Sequence, residues 1–156
     1  MVARNPSDTL IMALESGQVT IAMRPDLAPM HVARIRELAN EGFYDGLTFH
    51  RVIQGFVAQG GCPKGTGVGG SGKKLKAEFT DTKHLRGSVS MARAGHPDSG
   101  DCQFYICLDA VPYLDGQYTV WGEVIEGMEW VDGLPKGEPP RQPGKIVSMR
   151  TADHAG

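Results

Sequence analysis

The run Phe49-His50-Arg51-Val52-Ile53-Gln54-Gly55-Phe56-Val57-Ala58-Gln59-Gly60-Gly61 places a guanidinium, an imidazole and a carboxamide among aromatic and branched apolar side chains. Such a surface suits a small apolar group lying beside a polar bond. Read as a strand from Phe49 to Ile53, the side chains alternate, so His50 and Val52 share one face and Phe49, Arg51 and Ile53 the other. A guanidinium among apolar neighbours either snorkels its charge to water over an apolar stem or takes part in chemistry. His50, on the opposite face from Arg51, is expected to be a structural histidine bonded to backbone rather than an acid–base partner. Along Cys102 to Cys107, parity sets Gln103 and Tyr105 on one face and Cys102, Phe104 and Ile106 on the other. The second set is expected in the core and the first on a half-exposed surface.

Other chemistries find less support. Gly65, Gly67 and Gly70 satisfy G-x-G-x-x-G, and Gly67, Gly72 and Lys73 satisfy most of G-x-x-x-x-G-K. Both motifs need a strand before and a helix after, so that backbone N–H groups and a helix N-terminus meet the phosphates. Here Cys62-Pro63-Lys64 precedes the run, Lys74 stands where Ser or Thr would bind magnesium, and no long helical pattern follows. A flexible loop lining a groove is expected instead. His31, His50, His84, His96 and His154 lack ligand spacing, and no H-E-x-x-H occurs, so no metal is expected. Ser90 and Ser99 sit in no nucleophile elbow. Cys62, Cys102 and Cys107 include no C-x-x-C pair, which reads as reduced thiols of a cytoplasmic protein. Trp121 and Trp130 are expected in the core.

The elements that must hold these residues are short. Thr9 to Glu15 and Gln18 to Met23 flank Ser16-Gly17 as a hairpin. Pro29 opens a helix whose apolar positions Val32, Ile35, Leu38 and Ala39 recur at helical spacing, with Gly42 placed to stop it. Apolar runs at 48–53, 57–59, 88–92, 103–108, 119–124 and 146–150 follow, and a second short helix is read from Gly127 to Leu134, ended by Pro135. Many short strands with Gly-rich turns argue for a sandwich or a barrel. With 156 residues the chain is expected to form a single domain, residues 1–156, large enough to bury a core without staples. A net charge of −2 gives no reason to expect nucleic acid or an anionic membrane as partner. The first apolar run, Leu10 to Leu14, is too short for a signal-peptide core, and no run approaches a membrane span.

The Phe49–Gly61 run resembles the central motif of the cyclophilin family of peptidyl-prolyl cis/trans isomerases. Met91-Ala92-Arg93-Ala94-Gly95, Gln103-Phe104-Tyr105-Ile106 and Tyr113-Leu114-Asp115-Gly116 resemble further motifs of that family in the same order. Together the matches extend from Leu10 to about Met149. The resemblance implies a mainly β fold, a closed antiparallel barrel of about eight strands capped by two α-helices. It also implies an enzyme that rotates X-Pro peptide bonds and assists protein folding, without a cofactor. Its partners would be proline-containing peptides and unfolded or folding proteins, and a monomer is expected. A non-catalytic proline-peptide binding module or chaperone on the same fold is the alternative, and Arg51 argues against it because a pure binder has no need of the cation.

Rotation about X-Pro breaks amide resonance and meets a barrier of about 18–20 kcal/mol, crossed unassisted on the order of tens to hundreds of seconds. A rate on the order of 10³ per second needs a barrier of about 13 kcal/mol, so the site must supply about 5–7 kcal/mol. A guanidinium that donates to the proline nitrogen, or orients the neighbouring carbonyl, favours the twisted state over either planar one. By resemblance, Arg51 is that group, with His50, Phe56 and Gln59 completing the catalytic set. Phe56, Val57, Tyr105 and Leu114 would form the proline cup. Gln59, Gln103 and the backbone of Ala92, Arg93 and Ala94 would hold the peptide, with Gly67, Tyr113 and Tyr118 also lining the groove. Five positions depart from the commonest family pattern: Tyr105 stands for Phe, Val57 for Met, Tyr118 for His, Arg93 for Asn and Tyr113 for Trp. The first adds a hydroxyl at the cup, and the last implies weakened affinity for cyclosporin.

Overall fold

The computed structural model describes residues 5–67 and 69–154. Residues 1–4, at the start of the segment read above for a leader, and Val68 of the glycine run lie outside the described residues. The first hairpin forms as its alternation predicts, from β1 (Thr9–Leu14) and β2 (Gln18–Met23), with Ala13 opposite Gln18 across the turn. Helix α1 (Pro29–Asn40) begins at its proline and buries His31, Val32, Ile35, Leu38 and Ala39. Gly42 takes φ +83, the left-handed conformation that ends a helix most easily at glycine. Further strands are β3 (Arg51–Val52), β4 (Val57–Gly60), β5 (Ser88–Met91), β6 (Phe104–Cys107), β7 (Val120–Glu126) and β8 (Ile146–Thr151), and α2 (Met128–Asp132) lies between the last two.

All eight strands are antiparallel in one sheet of order β3-β4-β6-β5-β7-β2-β1-β8. The closed barrel expected from the resemblance is therefore corrected to an open, half-barrel sheet. Its edge strands β3 and β8 are not laddered together. Among the described residues, isolated bridges, Thr48 with Lys145 and Val52 with Gly137, span that side in place of a ladder. The chain facing the gap carries Pro135, Pro139, Pro140 and Pro143, which have no N–H to donate and so cannot sustain a ladder there.

The concave face holds the main core, built around Trp121, Phe49, Phe104, Tyr44 and Ile106. Phe104 makes edge-to-face contacts with Tyr44, Phe49 and Trp121 at centroid distances of 5.7, 6.1 and 6.1 Å, the arrangement that ring quadrupoles favour. Trp121 is fully buried as expected, but Trp130 is 40% exposed. Its indole covers Gly17 at the first hairpin turn, where no side chain would fit beneath it, and leaves its other side to solvent. Cys62, Cys102 and Cys107 are free thiols, and all are buried. Among the described residues no helix is long and apolar enough to cross a membrane.

Candidate active site

Strand register builds the site. Arg51 of β3 stands opposite Gln59 of β4, Gln59 opposite Tyr105 of β6, and Tyr105 opposite Ser90 of β5. Directly opposed residues project to the same face, so these four form a row across the outer face of the sheet. Val57 and Gln103, two positions along their strand directions, share that face. Parity along 102–107 is thus as expected for Phe104 and Ile106, which enter the main core. The other face is not simple surface: Val57, Tyr105, Cys107, Val111 and Leu114 form a second apolar cluster, with Phe56, Ala92 and Tyr118 packed against it.

This cluster opens as a shallow cup of about 100 Å³ lined by Phe56, Val57, Ala92, Tyr105, Leu114 and Tyr118, with Arg51, Gln59 and Arg93 at its edge. Two larger cavities adjoin it, and each shares Gln59 and Arg93 with it. One, of about 520 Å³, runs between the glycine loop and Ala92–Ala94, with Gln103, Ser99, Asp101 and Lys74 in its walls. The other, of about 550 Å³, is bounded by His50, Arg51, Gly65, Gly67, Glu138 and Pro139. The three read as one groove with an apolar centre.

A directed chain of hydrogen bonds crosses the groove. Arg51 donates through Nε to Glu138 Oε1 at 2.8 Å and through Nη1 to Gln59 Oε1 at 3.4 Å. Gln59 Nε2 donates to Gln103 Oε1 at 3.2 Å, and Gln103 Nε2 donates to the carbonyls of Gly67 and Gly69 at 2.8 and 3.0 Å. Each amide can be oriented only one way if every donor is to meet an acceptor. The Arg51 guanidinium also lies 5.7 Å from the centroid of Phe56, and Tyr113 stacks on the same ring at 6.0 Å.

The glycine loop is held from its other side by sulfur. Backbone N–H groups of Gly67 and Gly69 point at Cys62 Sγ at 3.3 and 3.2 Å. Burial alone would raise the Cys62 pKa, but N–H groups of Gly69, Lys64, Thr66 and Gly67 together bring it below the ordinary thiol value. Burial pushes Cys102 and Cys107 up to about 12. No helix follows the loop among the described residues before the short turn at Pro112–Leu114. Arg93 is a strut: its guanidinium lies over Tyr118 at 4.6 Å and donates to the carbonyls of Gln117, Ala94 and Gly95.

The readings at Phe49 and His50 change. The strand expected from Phe49 to Ile53 shrinks to Arg51–Val52, because Phe49 turns fully into the core and its N–H bonds to Gly144 O instead of a strand partner. His50 therefore lies outside the strand, and parity does not separate it from Arg51: both border the same cavity. Nor does His50 satisfy its ring as expected, since Nδ1 is buried without a hydrogen-bond partner among the described residues. Burial, and then the Arg51 charge, lower its pKa and favour the neutral ring. Tyr113 is 71% exposed and stacks on Phe56 at the edge of the groove. Glu138 escaped sequence reading altogether, since a lone acid in a proline-rich segment carries no motif. No group of three His, Cys, Asp or Glu placed to hold a metal occurs among the described residues.

Residues 9–151 match the family model described as cyclophilin type peptidyl-prolyl cis-trans isomerase/CLD. The chain is 44% identical over 162 residues to a probable peptidyl-prolyl cis-trans isomerase of Brucella suis, covering 93% of this chain and 83% of that protein. It is 48% identical over 128 residues to peptidyl-prolyl cis-trans isomerase B of Bacillus subtilis, covering 80% of this chain and 89% of that one. Among solved structures, a cyclophilin from Hirschia baltica superposes with a TM-score of 0.89 at 29% identity, over 96% of this chain and 76% of its own. A Cryptosporidium parvum cyclophilin type isomerase, determined in the presence of the dipeptide Ala-Pro, gives 0.86 at 28% identity, over 92% of this chain and 98% of its own. Both the motif order and the fold thus lead to one assignment: the chain belongs to the cyclophilin-type peptidyl-prolyl cis/trans isomerases and is an enzyme of that class.

Proposed function

We propose that the groove binds an extended X-Pro segment with the proline ring in the cup of Phe56, Val57, Tyr105 and Leu114, and that Arg51 drives the rotation. The observation that carries this reading is the placement of Arg51 at the edge of the apolar cup, while the other guanidinium there, that of Arg93, is taken up by the carbonyls of Gln117, Ala94 and Gly95. Glu138 occupies Nε of Arg51 and Gln59 takes a long contact at Nη1, which leaves guanidinium N–H groups free to reach the proline nitrogen or the preceding carbonyl. As the amide twists, its lone pair localises on nitrogen, and a donor fixed beforehand stabilises that state without reorganising. Gln59 and Gln103, aligned by their mutual bond, hold the peptide backbone on either side. His50, as a neutral ring, borders the groove without transferring a proton. Tyr118 and the Arg93 strut shape the rim, and the backbone of Ala92 to Ala94 offers an edge to the extended peptide.

The substrates on this reading are proline-containing peptides and unfolded or folding chains, matching the Ala-Pro present with the Cryptosporidium relative. The same reading makes the chain a cytoplasmic, monomeric, single-domain catalyst that needs no cofactor, and one that binds cyclosporin weakly. The test is exchange spectroscopy on an Ala-Pro peptide at substoichiometric protein. Many turnovers per protein are expected; tight binding with exchange left at the uncatalysed rate would establish the non-catalytic module instead.

A further inference from the structure

Beneath the cup lies a fully buried titratable residue that the mechanism above does not use. His84 has no exposed side-chain surface, and its ring stacks parallel to Tyr105 at 6.1 Å. Its Nδ1 is 3.0 Å from Asp115 Oδ1, and its backbone N–H donates to the same oxygen at 2.6 Å. Its Nε2 is 3.1 Å from the Tyr105 hydroxyl and 3.2 Å from Ser90 Oγ. Ser90 in turn donates to Thr119 O at 2.8 Å.

The protons can be assigned by inventory. Asp115, its carboxyl pKa lowered chiefly by the His84 backbone N–H, is an acceptor only, so Nδ1 carries the imidazole proton. Burial outweighs Asp115 and lowers the His84 pKa, which favours the neutral ring. Nε2 is then an acceptor. The one Ser90 proton is committed to Thr119, so the proton reaching Nε2 is that of Tyr105. The hydroxyl that distinguishes Tyr105 from the commoner Phe therefore points down into the protein, not into the cup. Asp115 directly follows Leu114, so the same imidazole ties the floor of the cup to its wall.

We propose that His84 is a positioning residue of the isomerase site, holding the Tyr105 ring by its hydroxyl and the Leu114 segment through Asp115, so that one buried side chain sets the shape of the proline cup. This rests on the isomerase reading and deepens it. The test uses His84→Asn, whose amide replaces Nδ1 as donor to Asp115 but is too short to replace Nε2. Turnover efficiency should fall by about tenfold, the change worth about 1.4 kcal/mol, in a chain that still melts cooperatively. Combined with Tyr105→Phe, which removes the hydroxyl deprived of its His84 acceptor, the double variant should return to within about twofold of Tyr105→Phe alone. A role in folding alone predicts no such rescue, and wild-type turnover by folded His84→Asn would overturn the inference. If His84→Asn does not fold, imidazole nitrogen spectra decide: Tyr105→Phe must shift the His84 Nε2 resonance, and an unmoved resonance overturns the assignment. Failure of the isomerase reading looks different, since the wild type itself would then show no turnover.

Discussion

Two walls of one groove are made by opposite means. The row Arg51, Gln59, Tyr105 and Ser90 lies on four neighbouring strands whose register places each side chain beside the next. Among the described residues of 65–72, the facing glycine loop has no strand partner. It keeps its course because Gly65, Gly67 and Gly72 accept φ of +68, +93 and +93, and because Cys62 and Gln103 grip it from two sides. On the proposed mechanism, the difference separates rate from recognition. A donor that must meet a twisting bond is best carried on paired strands, where its position is settled before substrate arrives. A surface that follows the rest of a peptide can be a loop.

The sharpest break of this comparison is on the strand side. Arg51→Ala should lower turnover by about 10²–10³-fold, the size expected for one preorganised donor, with a thermal melt close to wild type because the guanidinium is part-exposed. Near-normal turnover by the folded variant would remove Arg51 from the mechanism. Arg51→Lys should also lose most of the rate, since an ammonium does not reproduce the planar fork.

At the rim, Tyr113→Trp should tighten cyclosporin inhibition by about tenfold, the gain from one added hydrogen bond and a larger ring face, with little change in peptide turnover. Tyr113 stacks on Phe56 at the edge of the cup. A wild type that already binds the drug as tightly as the variant does would show that Tyr113 is not at the drug site.

The loop side should respond in binding rather than in rate. Gly67→Ala puts a side chain at φ +93, with its Cβ 3.3 Å from His50 Nε2. The left-handed conformation costs about 1–2 kcal/mol outside glycine. Released by a shift of the loop, that cost should raise KM for peptide by about fivefold to thirtyfold and leave kcat nearly unchanged. An equal fall in kcat would mean that the loop takes part in the rate-limiting state.

A smaller effect separates the buried rings from the surface acids. His31, His50 and His84 all have folded pKa values lowered, chiefly by burial, from the ordinary 6.5. Above that value both folded and unfolded chains hold these rings neutral, and no stability is lost. As pH falls below it the unfolded chain binds protons first, so stability should decline until the lowered folded values are passed. Asp26, Asp45 and Asp132, held down from 3.8 by hydrogen bonds to Arg24, Arg150 and Arg86, stabilise above that value, and their contribution goes only as pH drops through their lowered values. Melts between about pH 7.5 and about pH 5 should therefore already show a falling Tm; a flat profile there would contradict the burial of the three rings.

The smallest expected effect is none. Lys73→Ala should turn over peptide like the wild type, and ATP should leave Tm unmoved, because only a ligand that prefers the folded state shifts it. A saturable rise with ATP would make the glycine loop a phosphate site after all.

What the sequence determined by itself is local. The alternation of Gln18 to Met23, the helical stripe of Val32, Ile35, Leu38 and Ala39, and the parity that sends Phe104 and Ile106 one way and Tyr105 the other all follow from periodicity, and each is present. The motif order located Arg51, Gln59, Gln103 and Tyr105 in one groove. Tertiary structure decided which groups complete them. Glu138 meets Arg51 across 87 residues of chain, and His84 meets Tyr105 across 21; neither residue differs in its own neighbourhood from an ordinary surface acid or loop histidine. The open edge of the sheet, the turning of Phe49 into the core and the exposure of Tyr113 belong to the same class. Side-chain periodicity records which face a residue turns to the core, but the identity of the group it meets there is set by strand order and loop path, through contacts that exist only once distant segments are packed together.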